Sequence, residues 1–109
     1  MTSNDSRRQI YLTPQELSEV RQILWKHVPD CAAWAFGSRV RGDHKNYSDL
    51  DIAVLTKKPL PLEKMADLVA AFDESDLVFK VDVVDWATAS DSFRRIIEAE
   101  KFVLQAGDV

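Results

Sequence analysis

The sequence predicts a small α/β (α+β) domain: one mixed sheet of about three strands, flanked by helices. Three observations lead there. Apolar residues recur at helical spacing in two stretches, Leu17, Val20 and Leu24, then Leu62, Met65, Leu68, Val69 and Phe72. Three short apolar runs, "AAWAF", "LDIAVLT" and "VFKVDVVDW", read as strands. The two kinds of stretch follow one another as α-β-turn-β-α-β-α, the order of a sheet with helices packed on it.

The elements follow in chain order. "TPQE" opens the first helix, with Thr13 as N-cap, Pro14 at the first helical position and Glu16 completing a capping box. That helix spans about residues 14–27, and Pro29 ends it. "AAWAF" is the first strand and stops at Gly37. "SRVRG" is one helical turn, "LDIAVLT" the second strand, and "KKPLP" breaks it. A helix over about residues 62–73 and the strand "VFKVDVVDW" come next. "TASD", Thr88 to Asp91, is a second capping pattern that opens a last helix over about residues 90–105, with Gly107 as its stop. Residues 1–109 are expected to form one domain, with the first ten flexible.

Composition narrows the function classes. A chain of 109 residues is long enough for one modest core, and 46% hydrophobic with 29% charged residues is ordinary for a soluble globular protein. "DLVAAF" and "VDVVDW" are too short to cross a bilayer, and the polar "MTSNDSRRQ" is no secretory signal. The single cysteine, Cys31, excludes an internal disulfide and suits a reducing cytoplasm. It is expected to be a small buried hydrophobe. A net charge of −4 argues against an extended nucleic-acid surface. His27, His44 and Cys31 have no zinc-ligand spacing.

The stretch "FGSRVRGDHKNYSDLDIAV" carries the chemistry. Asp49 and Asp51 are two residues apart at the start of a strand, so both carboxylates point to one face, with Cα atoms roughly 6.5–7 Å apart. Leu50 and Ile52 face the apolar side. Two converging anions repel one another unless a cation lies between them, and a hard cation with oxygen ligands, Mg²⁺ or Mn²⁺, is the natural partner. Gly37 lets a ligand approach the backbone, and Ser38 offers a hydroxyl and an N–H at the start of a helical turn, where an anion such as phosphate is favoured. If the first two strands pair antiparallel, Ser38 and Asp49 are neighbours, and the pair suits a nucleoside triphosphate. A third carboxylate is sought on the last strand. Asp82, set among valines, is preferred there; Asp85, three residues on, reads as a strand-end residue.

Gly37-Ser38, ten residues, Asp49-Leu50-Asp51 and then Asp82 on a later strand resemble the DNA polymerase beta-like nucleotidyltransferase superfamily. The resemblance covers nearly the whole chain and is to the minimal nucleotidyltransferases of the two-component type. It implies the polymerase-beta-like fold and transfer of a nucleoside monophosphate, AMP from ATP, to a hydroxyl acceptor with release of pyrophosphate. It implies that Asp49 and Asp51 hold two Mg²⁺ ions (or Mn²⁺), and that Asp82 completes the catalytic metal site and helps deprotonate the acceptor. Ser38 and the Gly37 backbone would grip the β- and γ-phosphates, with Arg39 or Arg41 as further triphosphate contacts. The partner it implies is a helical HEPN-type protein, related to the helical domain of kanamycin nucleotidyltransferase. In some such pairs the nucleotidyltransferase is an antitoxin that adds AMP to a tyrosine of the toxin. A chain this short is expected to need a partner, or a second copy of itself, to complete the site. The alternative function is a binding module that neutralises the partner by sequestration.

Other residues carry structural expectations. Tyr47 packs on the loop, Ser48 caps local backbone, His44 is a solvated loop residue and His27 meets the end of the first helix. Trp25, Trp34 and Trp86 are core or interface. "FRRIIEAEK" presents a solvated face. The apolar set Phe93, Ile96, Ile97, Phe102, Val103 and Leu104 exceeds one helical stripe, so part of it faces a partner.

Overall fold

The computed structural model describes residues 9–107. The expected flexibility of the first ten residues falls, up to residue 8, outside the described residues. Ile10 packs against the main core.

Helix α1 (Pro14–His27) starts as its sequence dictates: the Thr13 hydroxyl accepts from Glu16 N–H and the Glu16 carboxylate accepts from Thr13 N–H. Strand β1 (Ala32–Phe36) runs into the one-turn helix α2 (Ser38–Arg41). Strand β2 (Leu50–Leu55), helix α3 (Leu62–Asp73) and strand β3 (Val81–Asp85) follow. A 3₁₀ turn (Trp86–Thr88) leads to helix α4 (Asp91–Glu100), whose N-cap Ser90 hydroxyl accepts from Phe93 N–H. Strand β4 (Phe102–Gln105) closes the described chain.

The sheet has four strands in the order β3-β2-β1-β4. Strand β1 is antiparallel to β2 and β4, and β2 is parallel to β3, so the sheet is mixed as expected. The fourth strand is a correction: the last helix was expected to continue to residue 105. It stops because Lys101 leaves helical geometry (φ −52°, ψ 141°), and Phe102, Val103 and Leu104 are aromatic and apolar residues that an extended edge beside β1 accommodates. Gly107 is therefore not a helix stop. It follows β4 with φ +78°, where a Cβ would strike the Ala32 backbone.

The two faces of the sheet are covered unequally. Leu50, Ile52, Val54 and Val81 join Ala33, Ala35, Val20, Leu24, Leu68 and Phe72 in the main core beneath α1 and α3. The opposite face carries a small cluster in which Phe36, Ala53 and Ile97 are buried under α4, with Trp34, Trp86 and Phe93 partly buried around them. The rings of Trp34 and Trp86 meet edge to face, as do those of Phe36 and Phe93. Trp25 is 65% exposed on α1 and joins neither cluster. The apolar surplus near the C-terminus divides between two elements: Ile97 and Phe93 pack beneath α4, Phe102 and Leu104 join the main core from β4, and Ile96 and Val103 remain exposed.

Strand β4 is tied down by Gln105, whose amide nitrogen donates to the Val28 and Cys31 carbonyls at 2.8 Å each. Gln105→Ala leaves both carbonyls without that donor. It should lower stability by about 1–2 kcal/mol in urea denaturation; an unchanged midpoint would show that the clasp contributes nothing.

Candidate active site

Strand pairing assembles the site. Antiparallel register sets Phe36 opposite Asp51, and parallel register sets Asp51 beside Asp82. The end of β1 and the starts of β2 and β3 therefore lie at one end of the sheet. Asp51 and Asp82 share the face that carries Phe36, because Leu50 and Val81 point into the main core. Asp49 stands just ahead of β2 and is exposed. The structure thus brings the three expected carboxylates to one place. The reason given for Asp82, burial among valines, does not hold: its side chain is half exposed and only 4.0 Å from the exposed Lys80 ammonium. Asp85 is the strand-end residue. Its carboxylate accepts from the Leu60 N–H (2.7 Å), the Ala87 N–H (3.1 Å) and the Thr56 hydroxyl.

Gly37 links these carboxylates to α2. Its backbone (φ 83°, ψ −158°) is one that essentially only glycine adopts, and a Cβ there would run into the Asp51 carboxylate. The turn closes through Val40 and Arg41 N–H groups donating to the Gly37 carbonyl, both at 3.0 Å. Ser38 begins α2 directly beside this contact.

The electrostatics follow from the crowding. Burial first, then the neighbouring Asp82 and Asp49 charges, push the Asp51 carboxyl up to about 6 from 3.8, against the opposing pull of Arg41. A cation would relieve this repulsion, and three carboxylates are the oxygen donors that hard divalent ions prefer. Among the described residues no group of three or more His, Cys, Asp or Glu side chains is arranged to hold a metal ion unaided. The donor set fits a divalent ion whose shell is completed by oxygens of a bound triphosphate.

The two arginines of α2 part company. Arg39, expected at the triphosphate, is only 5% exposed and turns away from it. Its guanidinium donates to the carbonyls of Ser48 (2.9 Å), Asn46 (3.0 Å) and Tyr11 (3.1 Å) and lies 4.1 Å from the Phe79 ring centre. Arg41 stays at the site and donates to both carboxylate oxygens of Glu100, at 3.1 and 3.2 Å. Glu100, at the end of α4, also accepts the Gly37 N–H at 2.9 Å. Sequence reading missed Glu100, placed in a solvated charge run. Nothing local signals a contact 63 residues away.

Loop residues differ from expectation too. Ser48 does cap the loop, its hydroxyl accepting from Lys45 N–H at 2.7 Å. Tyr47 is 78% exposed rather than packed. His44 is not a solvated side chain: its ring stacks at 5.1 Å on Tyr11, whose own ring lies over Gly42. Cys31 is partly buried against the main core, and burial raises its thiol pKa.

The family described as polymerase beta, nucleotidyltransferase, matches residues 18–108 of the chain. A Haemophilus influenzae protein named as a probable protein adenylyltransferase, MntA, is 47% identical over 97 residues, 89% of this chain and 85% of the relative. A crystal structure of a toxin–antitoxin with AMP-PNP superposes with a TM-score of 0.63 at 27% identity, covering 81% of this chain and 71% of that one. A mutant of the toxin–antitoxin MntA–HpeT, with two aspartates changed to glutamate, gives a TM-score of 0.68 at 25% identity and the same coverage, 81% and 71%.

Two outcomes follow from Asp51 and Gly37. The folded chain takes up the Asp51 proton more readily than the unfolded chain, so this group favours folding below about pH 4 and that contribution is lost as pH rises through about 6. Asp51→Asn should therefore raise the melting temperature of the metal-free protein at pH 8 by about 4–8 °C, with the gain fading by pH 4. A variant that melts below wild type at pH 8 contradicts the account by burial and like charge. Gly37→Ala meets both an excluded backbone region and the Asp51 carboxylate, and should cost about 1–3 kcal/mol in chemical denaturation.

Proposed function

The chain belongs to the polymerase beta nucleotidyltransferase family, and we propose that within it the chain transfers AMP from ATP to a hydroxyl of a helical HEPN-type partner, as the antitoxin of a toxin–antitoxin pair. The observation that carries this reading is the pairing of Asp51 with Asp82, beside Asp49 and under the Gly37 turn. The 47% identity to a protein named as a probable protein adenylyltransferase supports the reaction, and the likeness to toxin–antitoxin structures supports the partner.

Divalent metals serve this family generally; here Asp49, Asp51 and Asp82 would hold two Mg²⁺ ions, which when bound neutralise charge on the triphosphate and on the attacking and leaving oxygens. Ser38 and the backbone at Gly37 bind the β- and γ-phosphates at the turn. Arg41 is the arginine within reach of those phosphates, and Glu100 must release it, and the Gly37 N–H, when they arrive. Arg39 is withdrawn as a phosphate contact, because its donors are committed to backbone carbonyls. The acceptor oxygen attacks the α-phosphorus in line, the bond to the bridging oxygen breaks and pyrophosphate leaves. Asp82, half exposed beside Asp51, takes the acceptor proton.

The partner supplies the acceptor. The concavities on the described surface include one along α1 at Leu17 and Trp25, one between Cys31 and Pro61, and a shallow one at Lys45 to Ser48, just ahead of Asp49. Asp82 is half exposed, so the face around it is open to a second protein. No helix among the described residues is long and apolar enough to cross a membrane. The lone cysteine supports a cytoplasmic setting.

The test is to mix the chain with the protein encoded by its neighbouring gene, add Mg²⁺ and each nucleoside triphosphate, and weigh both proteins intact. An AMP adduct should appear on the partner with ATP. Asp49→Ala with Asp51→Ala should reduce it by about 10²–10³-fold or more. No adduct, with wild type and double variant binding the partner equally, would replace transfer with sequestration.

A further inference from the structure

We infer that Arg39 is a positioning residue that fixes the metal-binding carboxylates against the phosphate-gripping turn, an inference that rests on the nucleotidyl-transfer reading. Arg39 belongs to α2, one residue after Ser38. Its side chain leaves that turn and reaches the two other segments that carry candidate ligands. Nε and one terminal nitrogen hold the carbonyls of Ser48 and Asn46, the stretch that leads directly into Asp49. Its plane lies over Phe79, which precedes β3 and Asp82. The same junction is stitched by the Leu50 N–H donating to the Lys80 carbonyl at 2.9 Å. The remaining terminal nitrogen holds the Tyr11 carbonyl, while Tyr11 N–H donates back to the Arg39 carbonyl at 2.8 Å. One guanidinium thus joins the phosphate turn, the approach to Asp49 and the approach to Asp82.

A purely structural role does not account for the choice of residue. A charge that is 95% buried, satisfied by carbonyls and a ring, is expensive to place, and an apolar side chain would fill the same volume without desolvation. What an apolar residue lacks is a rigid planar fork that fixes three carbonyls at set angles. Lysine lacks it as well, being a point charge on a flexible stem. The geometry being fixed is that of Asp49 relative to Asp51 and Asp82, the carboxylates that strand pairing gathers at one end of the sheet.

The experiment measures Mn²⁺ binding to the full chain by the EPR signal of free Mn²⁺, with AMP-PNP present, for wild type, Arg39→Lys and Arg39→Met. Thermal melts confirm that each variant is folded at the assay temperature. Folded Arg39 variants should bind Mn²⁺ about ten-fold or more weakly than wild type, and AMP transfer to the partner should need correspondingly more Mg²⁺ while recovering at saturation. Mn²⁺ affinity within about two-fold of wild type, with only a lower melting temperature, would make Arg39 a fold residue and overturn the inference. Where neither Arg39 variant folds, Arg39→Gln, which keeps an amide donor but lacks the fork that spans three carbonyls, replaces them, and Mn²⁺ affinity equal to wild type would again overturn it. Wild type that binds no Mn²⁺ with AMP-PNP would overturn the nucleotidyl-transfer reading itself, and this inference with it.

Discussion

A half-buried carboxylate beside two others is the constraint on which the rest of this structure depends. Asp51 sits where β1, β2 and β3 meet, and its environment holds its carboxyl near pKa 6. Left alone, such a group destabilises the neutral-pH fold. The surroundings are built to keep it there. Gly37 has no side chain to displace it, Arg41 offsets part of its charge, and parallel pairing fixes Asp82 at its side. A stability penalty accepted at one point in an otherwise consistent fold is what a working site looks like.

The sheet divides its labour by face. The side beneath α1 and α3 carries the larger core and supplies most of the stabilisation. The other side is thinly covered by α4, and at its carboxylate end Asp49 is exposed and Asp82 half exposed. Because strand side chains alternate, β2 serves both: Leu50 and Ile52 anchor the strand in the core while Asp51 between them faces the site. The rigidity of one face thereby becomes the positional accuracy of the other. Helix α4 adds a second link, since Glu100 at its end holds Gly37 and Arg41 together.

Arg39 and Arg41 show how little a residue type says without its surroundings. They are two apart on a single turn of helix, which points them in different directions. One is buried among carbonyls and holds backbone in place; the other stays with the acidic site, paired with Glu100. Treating them as equivalent phosphate contacts was natural in sequence, because the turn is too short for periodicity to choose an inward face.

Local and medium-range signals were enough to read much of this protein. The Thr13 capping box, the helical spacing of Leu62 to Phe72, the glycine that ends β1 and the Asp-x-Asp at the start of β2 are each written within about a dozen residues, and each acts through neighbours in the chain. Alternation along a strand and an antiparallel β1–β2 pair were enough to anticipate a shared place for Ser38 and the carboxylates. Tertiary structure alone decided the rest. It ended α4 early, because β4 forms only where β1 offers an edge. It turned Tyr47 outward, buried Arg39, and brought Glu100 to Gly37 across 63 residues. Those outcomes depend on which surfaces and unpaired backbone groups meet after the chain has folded, and no periodicity or spacing within one segment contains that information.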